Sequence, residues 1–165
     1  MSNPVRKWLS NLHTLPASGP EAKRDEPDLP LEPYEPVSVL AVLPEERDRQ
    51  TLHRIAVSRR WQLLSAKDLG EAMELLRRRQ SAVVLVDRGF LGIDWRHSLR
   101  TLLVASPASC IIPVLEAPAD RFWEELIQQG GYDVLAAPLS EAAATRTIQF
   151  AWAYWKKCVW PVYGY

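Results

Sequence analysis

The chain has 165 residues, and Lys plus Arg balance Asp plus Glu at 20 each, so no overall field steers it toward nucleic acid or an anionic membrane surface. Its two cysteines, Cys110 and Cys158, lie far apart and outside any CxxC pattern. That usage points to reduced thiols in a cytoplasmic protein, with one inter-helix disulfide as the alternative. The start lacks the apolar core of a signal peptide, and no apolar run approaches the ~20 residues that span a bilayer, so a soluble protein is expected.

Residues 1–36 read as a leader. Trp8, Leu9 and Leu12 mark one stripe of a short helix between Pro4 and His13, and the prolines that follow among acids describe an extended or disordered segment. The character changes at Val37. Residues 37–43 (VSVLAVL) form a first apolar strand. Pro44, Glu45 and Glu46 suit the positive start of a helix whose buried stripe is Leu52, Ile55 and Ala56, with Arg47, Arg49, Arg54 and Arg59 largely on its wet side. A shorter strand covers 61–64. A second helix carries Leu69, Ala72, Met73 and Leu76 on one face and closes on Arg77, Arg78 and Arg79, which suit its negative end. A phosphate-binding patch is the sharper reading of those arginines.

Residues 81–87 (SAVVLVD) are wholly apolar until they end in Asp87, the pattern of a central parallel strand covered on both faces. A loop over 88–93 leads to a third helix, with Asp94 as N-cap and Trp95, Leu99 and Leu102 buried. Residues 110–115 (CIIPVL) make a fourth strand, in which Pro113 predicts a bulge or an early end. A fourth helix over 119–129 buries Phe122 and Leu126 and stops at Gly130-Gly131. A fifth strand covers 132–136. The last helix spans 140–157, with Ser140 as N-cap and Ala144, Ile148, Ala151 and Trp155 as its core stripe. Such alternation with right-handed crossovers gives an α/β fold: a five-stranded parallel sheet of order 2-1-3-4-5 in a flavodoxin-like three-layer αβα sandwich. The domain is assigned to residues 37–157, with an aromatic tail at 158–165. The switch point lies between the first and third strands, roofed by Leu43, Pro44 and Glu45 on one side and Asp87 on the other.

Across residues 37–157 the pattern resembles the receiver domain of two-component response regulators. Arg49 and Leu52 stand at the family's usual interval after the first strand, and residues 83–87 (VVLVD) look like the strand that presents the phospho-accepting aspartate. Pro113 to Ala117 followed by Asp120 resembles the fourth-strand segment. Gly131 to Leu135 looks like the lead into the fifth strand, and Pro138-Leu139 stands at the family's turn, whose X-Pro bond is commonly cis.

The resemblance implies phosphoryl transfer from a histidine kinase to Asp87 with Mg²⁺ offsetting charge on the transferring oxygens. The surrounding positions depart from that chemistry. Leu43 and Pro44 occupy the family's acidic pair and offer no side-chain oxygen to a metal; Glu45 or Glu46 could reach in only by a forced geometry. Glu116 replaces the hydroxyl residue after the fourth strand, and its carboxylate would repel an incoming phosphoryl group. Ala137 replaces the lysine before Pro138, and Val134 holds the aromatic switch position. The structural alternative for Asp87 is a carboxylate that accepts backbone N–H groups of the next loop or pairs with Arg88 or another arginine.

Other constellations are weaker. His13, His53 and His97 have no partners at metal spacing, Ser106 and Ser109 lack a nucleophile-elbow context, and no glycine-rich phosphate loop follows the first strand. The carboxyl end crowds Phe150, Trp152, Tyr154, Trp155, Trp160, Tyr163 and Tyr165 together. They fold back on the domain, form an interface or meet a membrane surface. The resemblance points to the face of the fourth helix, fifth strand and fifth helix, with Trp123, Val134, Trp152, Tyr154, Trp155 and Trp160 as interface candidates. The expectation is a non-enzymatic pseudo-receiver in signal transduction, independent of phosphorylation and of any cofactor. It would bind protein partners, a homodimer among the options, and neither nucleic acid nor the membrane interior. The alternative is a working receiver in a phosphorelay, with Mg²⁺ and phosphorylation on Asp87.

Overall fold

The computed structural model describes residues 36–117 and 119–159. Five parallel strands, β1 (Ser38–Val42), β2 (Gln62–Ser65), β3 (Val83–Asp87), β4 (Cys110–Leu115) and β5 (Leu135–Ala136), lie in the order β2-β1-β3-β4-β5. Between them run α1 (Glu46–Arg59), α2 (Leu69–Arg78), α3 (Trp95–Ala105), α4 (Asp120–Gln128) and α5 (Glu141–Tyr154). The flavodoxin-like architecture and strand order are those expected from the alternating apolar runs.

Side chains of a strand alternate between faces, and both faces are sealed here. On one, Leu40, Val42, Val84, Val86 and Ile111 pack with Ala72 and Leu76 of α2, Trp95, Leu99 and Leu102 of α3, and Leu126 of α4. On the other, Val39, Leu85 and Ile112 are buried beneath Leu52 and Ile55 of α1 and Ala144, Ile148 and Ala151 of α5. Val83, Val84, Leu85 and Val86 all have 0% exposure, which makes β3 the spine of the core. Burying each such side chain is worth about 1.5–3 kcal/mol.

Helix ends follow their sequence signals. The side chains of Asp68, Asp94 and Ser140 accept from the backbone N–H groups of Glu71, His97 and Ala143 and so cap α2, α3 and α5. Gly130, at φ +97°, takes the left-handed conformation that ends α4, and the Gly131 N–H returns to Leu126 O at 2.9 Å.

Several local expectations are corrected. Residues 88–91 are not loop: Arg88–Leu91 form a single helical turn, because Asp87 caps it. Pro113 neither bulges nor ends β4, and it lies opposite Val86 in an unbroken ladder. The reason is parity. Ile111 O and Leu115 O accept from Tyr132 N and Ala137 N, so the odd residues of β4 turn their backbone groups toward β5. The missing donor of Pro113 therefore faces the chain ahead of β5. β5 begins at Leu135, not at Tyr132: the Tyr132 N–H still bonds Ile111 O, but the Val134 N–H turns to the Asp133 side chain at 2.7 Å. The last helix also ends earlier as α-helix, passing at Trp155 into a π-helical turn, Trp155–Val159. The proposed helix within the leader and the end of the tail from Trp160 lie outside the described residues.

Candidate functional site

The carboxyl ends of the strands bring together the positions singled out above. β3 delivers Asp87 half-buried to this edge, where its Oδ1 accepts the Gly89 N–H at 2.8 Å. The geometry explains the glycine: a Cβ on residue 89 would stand 2.9 Å from that oxygen. Among the described residues Asp87 makes no ion pair. Arg88 turns away from it, donating to Gly92 O at 2.8 Å with its guanidinium carbon 5.9 Å from the Trp95 ring centre and 5.5 Å from that of Phe122. Of the structural alternatives for Asp87, the backbone cap is the one observed.

At the end of β1, Leu43 is buried and Pro44 exposed. Their carbonyls accept from one nitrogen of Arg49, Nη1, at 2.8 and 2.7 Å. The other side of that guanidinium holds Glu46, with Nη2 2.6 Å from Oε2. Hydrogen bonds from Arg49 and then Gln50 hold the Glu46 carboxyl below its ordinary range. Glu45 is the N-cap residue of α1 and makes no side-chain capping bond.

The remaining positions are spread along the same edge. Glu116 is exposed beyond β4. Ala137 is half-buried and extends the ladder, its N–H 2.9 Å from Leu115 O, and the Ala137–Pro138 bond is cis. The following residue, Leu139, is buried and donates its N–H to Asp48 Oδ1 at 2.8 Å. Asp48, on the first turn of α1, is only 4% exposed. Sequence reasoning passed over it, although a signal was present: it precedes Leu52 by one turn and so occupies a core position of an amphipathic helix.

Mg²⁺ requires several oxygen ligands in near-octahedral order. The residues present do not fit it. The positions beside β1 are aliphatic, the neighbouring carbonyls are taken by a guanidinium, and Glu46 is committed to that same cation. Among the described residues no three His, Cys, Asp or Glu side chains converge as a metal site.

The interface candidates divide over two flanks of α5. Thr145 and Gln149 line a groove of about 500 Å³ shared with Arg59 of α1. Trp152 continues that stripe at helical spacing, stacks on Trp155 at 5.1 Å and lies beneath Lys156, whose Nζ is 5.6 Å from the Trp152 ring centre. Tyr154 lies on the opposite flank, its ring 5.5 Å from that of Tyr132 just before β5. The grouping of Trp152 with the α4–β5–α5 face is thus corrected: it belongs to the α1 side. Trp155 is 5% exposed and is a core residue, not a surface anchor. On the α4–β5 side, Trp123 and Val134 are half-buried, and the Trp123 indole donates to Asp133 Oδ1 at 3.1 Å. Phe150, 40% exposed and one turn before Tyr154, joins this side and was not among the candidates. Trp160 lies outside the described residues.

No family model matches the sequence, and no curated protein matches it significantly. Solved structures do. The beryllofluoride-activated NtrC4 receiver domain dimer is 24% identical, with 71% of this chain and 97% of that one covered and a TM-score of 0.64. A CheY-like response regulator receiver domain protein from Methanospirillum hungatei JF-1 is 13% identical over 74% and 98% of the two chains, with a TM-score of 0.65. A putative CpaE2 pilus assembly protein from Sinorhizobium meliloti 1021 is 17% identical over 68% and 98%, with a TM-score of 0.61. The fold is that of the response-regulator receiver domains.

Proposed function

We propose that the protein is a pseudo-receiver: a non-enzymatic signalling module that acts through protein–protein contact, without phosphoryl transfer and without Mg²⁺. One observation carries the reading. Where the resemblance places a metal-binding acidic pair, the guanidinium of Arg49 is bonded to the carbonyls of Leu43 and Pro44. Catalysis of phosphoryl transfer rests on positioned charge around the moving group, and the aliphatic Leu43, Pro44 and Ala137 provide none. Glu116 adds charge of the unfavourable sign. Both cysteines are free, which fits a reducing, cytoplasmic setting. Among the described residues no helix is long and apolar enough to cross a membrane.

Incubation with acetyl phosphate and Mg²⁺, read by intact mass, tests the reading. The mass should stay that of the unmodified chain. A phosphoryl group gained by the wild type and absent from Asp87→Asn would establish the alternative, a working receiver that accepts phosphate on Asp87. The contact surface we favour is the α4–β5–α5 face, with Trp123, Val134, Phe150 and Tyr154, and a second copy of the chain as one partner. Replacing Phe150 with Ser should weaken self-association in sedimentation velocity while leaving the fold intact. A wild type that stays monomeric at high concentration would remove the homodimer.

A further inference from the structure

We infer that the first turn of α1 is an internal clamp that holds the two loops at the carboxyl edge of the sheet in one arrangement. The inference rests on the pseudo-receiver reading and gives it a mechanical basis. Two consecutive side chains reach in different directions. Arg49 fastens the loop between β1 and α1 through Leu43 O and Pro44 O, at 2.8 and 2.7 Å. Asp48 fastens the loop between β5 and α5 through the Leu139 N–H, at 2.8 Å.

Burying a carboxylate is costly unless its surroundings compensate. Asp48, at 4% exposure, is compensated from two directions. It lies in the first turn of α1, and its partner Leu139 directly precedes Ser140, the N-cap of α5. The amino ends of both helices carry partial positive charge that favours an anion. The arrangement also satisfies the buried backbone donor of Leu139, which would be costly to leave unpaired. Each contact pairs an ionised group with a backbone dipole, the stronger kind of hydrogen bond.

A receiver-type switch needs a second conformation that lies only a few kcal/mol above the first. Moving either loop away from α1 breaks a charge-assisted bond, and freeing both breaks the whole set. The clamp therefore depopulates the alternative and fixes where α5 begins. Since α5 carries Phe150 and Tyr154, the face they occupy is presented continuously and does not wait for a signal at Asp87.

Amide hydrogen exchange on the full chain, resolved by peptide mass, tests this. Asp48→Ala should speed exchange in residues 139–143 by about tenfold or more, with Val83–Val86 unchanged. Asp48→Asn keeps an oxygen acceptor for the Leu139 N–H and should give a smaller acceleration. Arg49→Met should speed exchange in residues 43–46. Should Asp48→Ala fail to fold, Asp48→Asn and Arg49→Met carry the test. Unaltered exchange at both loops would overturn the clamp, and so would an equal acceleration in Val83–Val86, which would reveal a global loss of stability. This readout is separable from the mass experiment. Phosphate on Asp87 with strong protection at Leu139 would remove the pseudo-receiver reading and leave the clamp standing.

Discussion

Between Val83 and Val86, β3 is sealed on both faces, whereas Asp87, one residue on, is half-buried and caps the following turn. The interior of the sheet and its carboxyl edge answer to different constraints. Inside, any aliphatic side chain of suitable volume preserves the packing, so many sequences satisfy the same sheet. At the edge, any chemistry depends on a few particular groups, and Leu43 and Ala137 sit there without disturbing a strand. The polar side chains described at the edge bond to backbone groups: Asp87 to the Gly89 N–H, Arg49 to Leu43 O and Asp48 to the Leu139 N–H.

Substitutions on either side of this divide should differ in size. Leu85→Ala empties a fully buried position two residues before Asp87. It should cost about 2–5 kcal/mol, visible as a large fall in the urea midpoint. A loss under about 1 kcal/mol would mean that β3 is not the spine described.

The next effect depends on pH. Burial, with a lesser contribution from nearby Cys158, pushes the Cys110 thiol up from 9.0 to about 12. The folded chain then keeps a proton that the unfolded chain releases above about pH 9. Stability should be intact below that pH and fall as pH rises toward 12, by at most about 1.4 kcal/mol per unit for this group. Burial also raises Tyr132 and Tyr154, which act in the same direction at higher pH. Urea unfolding at several pH values should show a shallower decline in Cys110→Ala than in the wild type. Parallel declines would place the thiol outside the core.

The smallest effect belongs to the edge. Asp87→Ala removes one capping acceptor and should cost about 0.5–2 kcal/mol, toward the lower end for a helix of a single turn. A loss matching that of Leu85→Ala would erase the distinction between interior and edge.

The strands, their order and the core stripes of the helices were legible because runs such as residues 83–86 and the spacing of Ala144, Ile148 and Ala151 report burial directly. Three features were not. The effect of Pro113 depends on which neighbour its backbone faces, a parity that only the ladder reveals. Asp48 stood visibly among core positions, but its partner is 91 residues away in sequence. The split of Trp152 from Tyr154 follows from which flank of α5 meets α1, and helical periodicity alone treats the two flanks alike. For the site, the sequence pattern was enough to bring Leu43, Pro44, Glu116 and Ala137 to one edge of the sheet, whereas the bonding of Arg49 to the Leu43 and Pro44 carbonyls could not be read from it.

The shortness of β5 bears on how copies of this chain can meet. Sheet edges invite pairing with strands from other molecules, and longer, flatter edges invite it more strongly. With Leu135–Ala136 as its whole length, β5 offers an incoming strand almost no ladder to extend. Any contact made on this side would therefore have to come from side chains, which require a partner of matching shape, and not from the backbone, which would accept nearly any extended chain. The opposite edge, β2, is twice as long at four residues, so the two edges of the sheet differ in this respect.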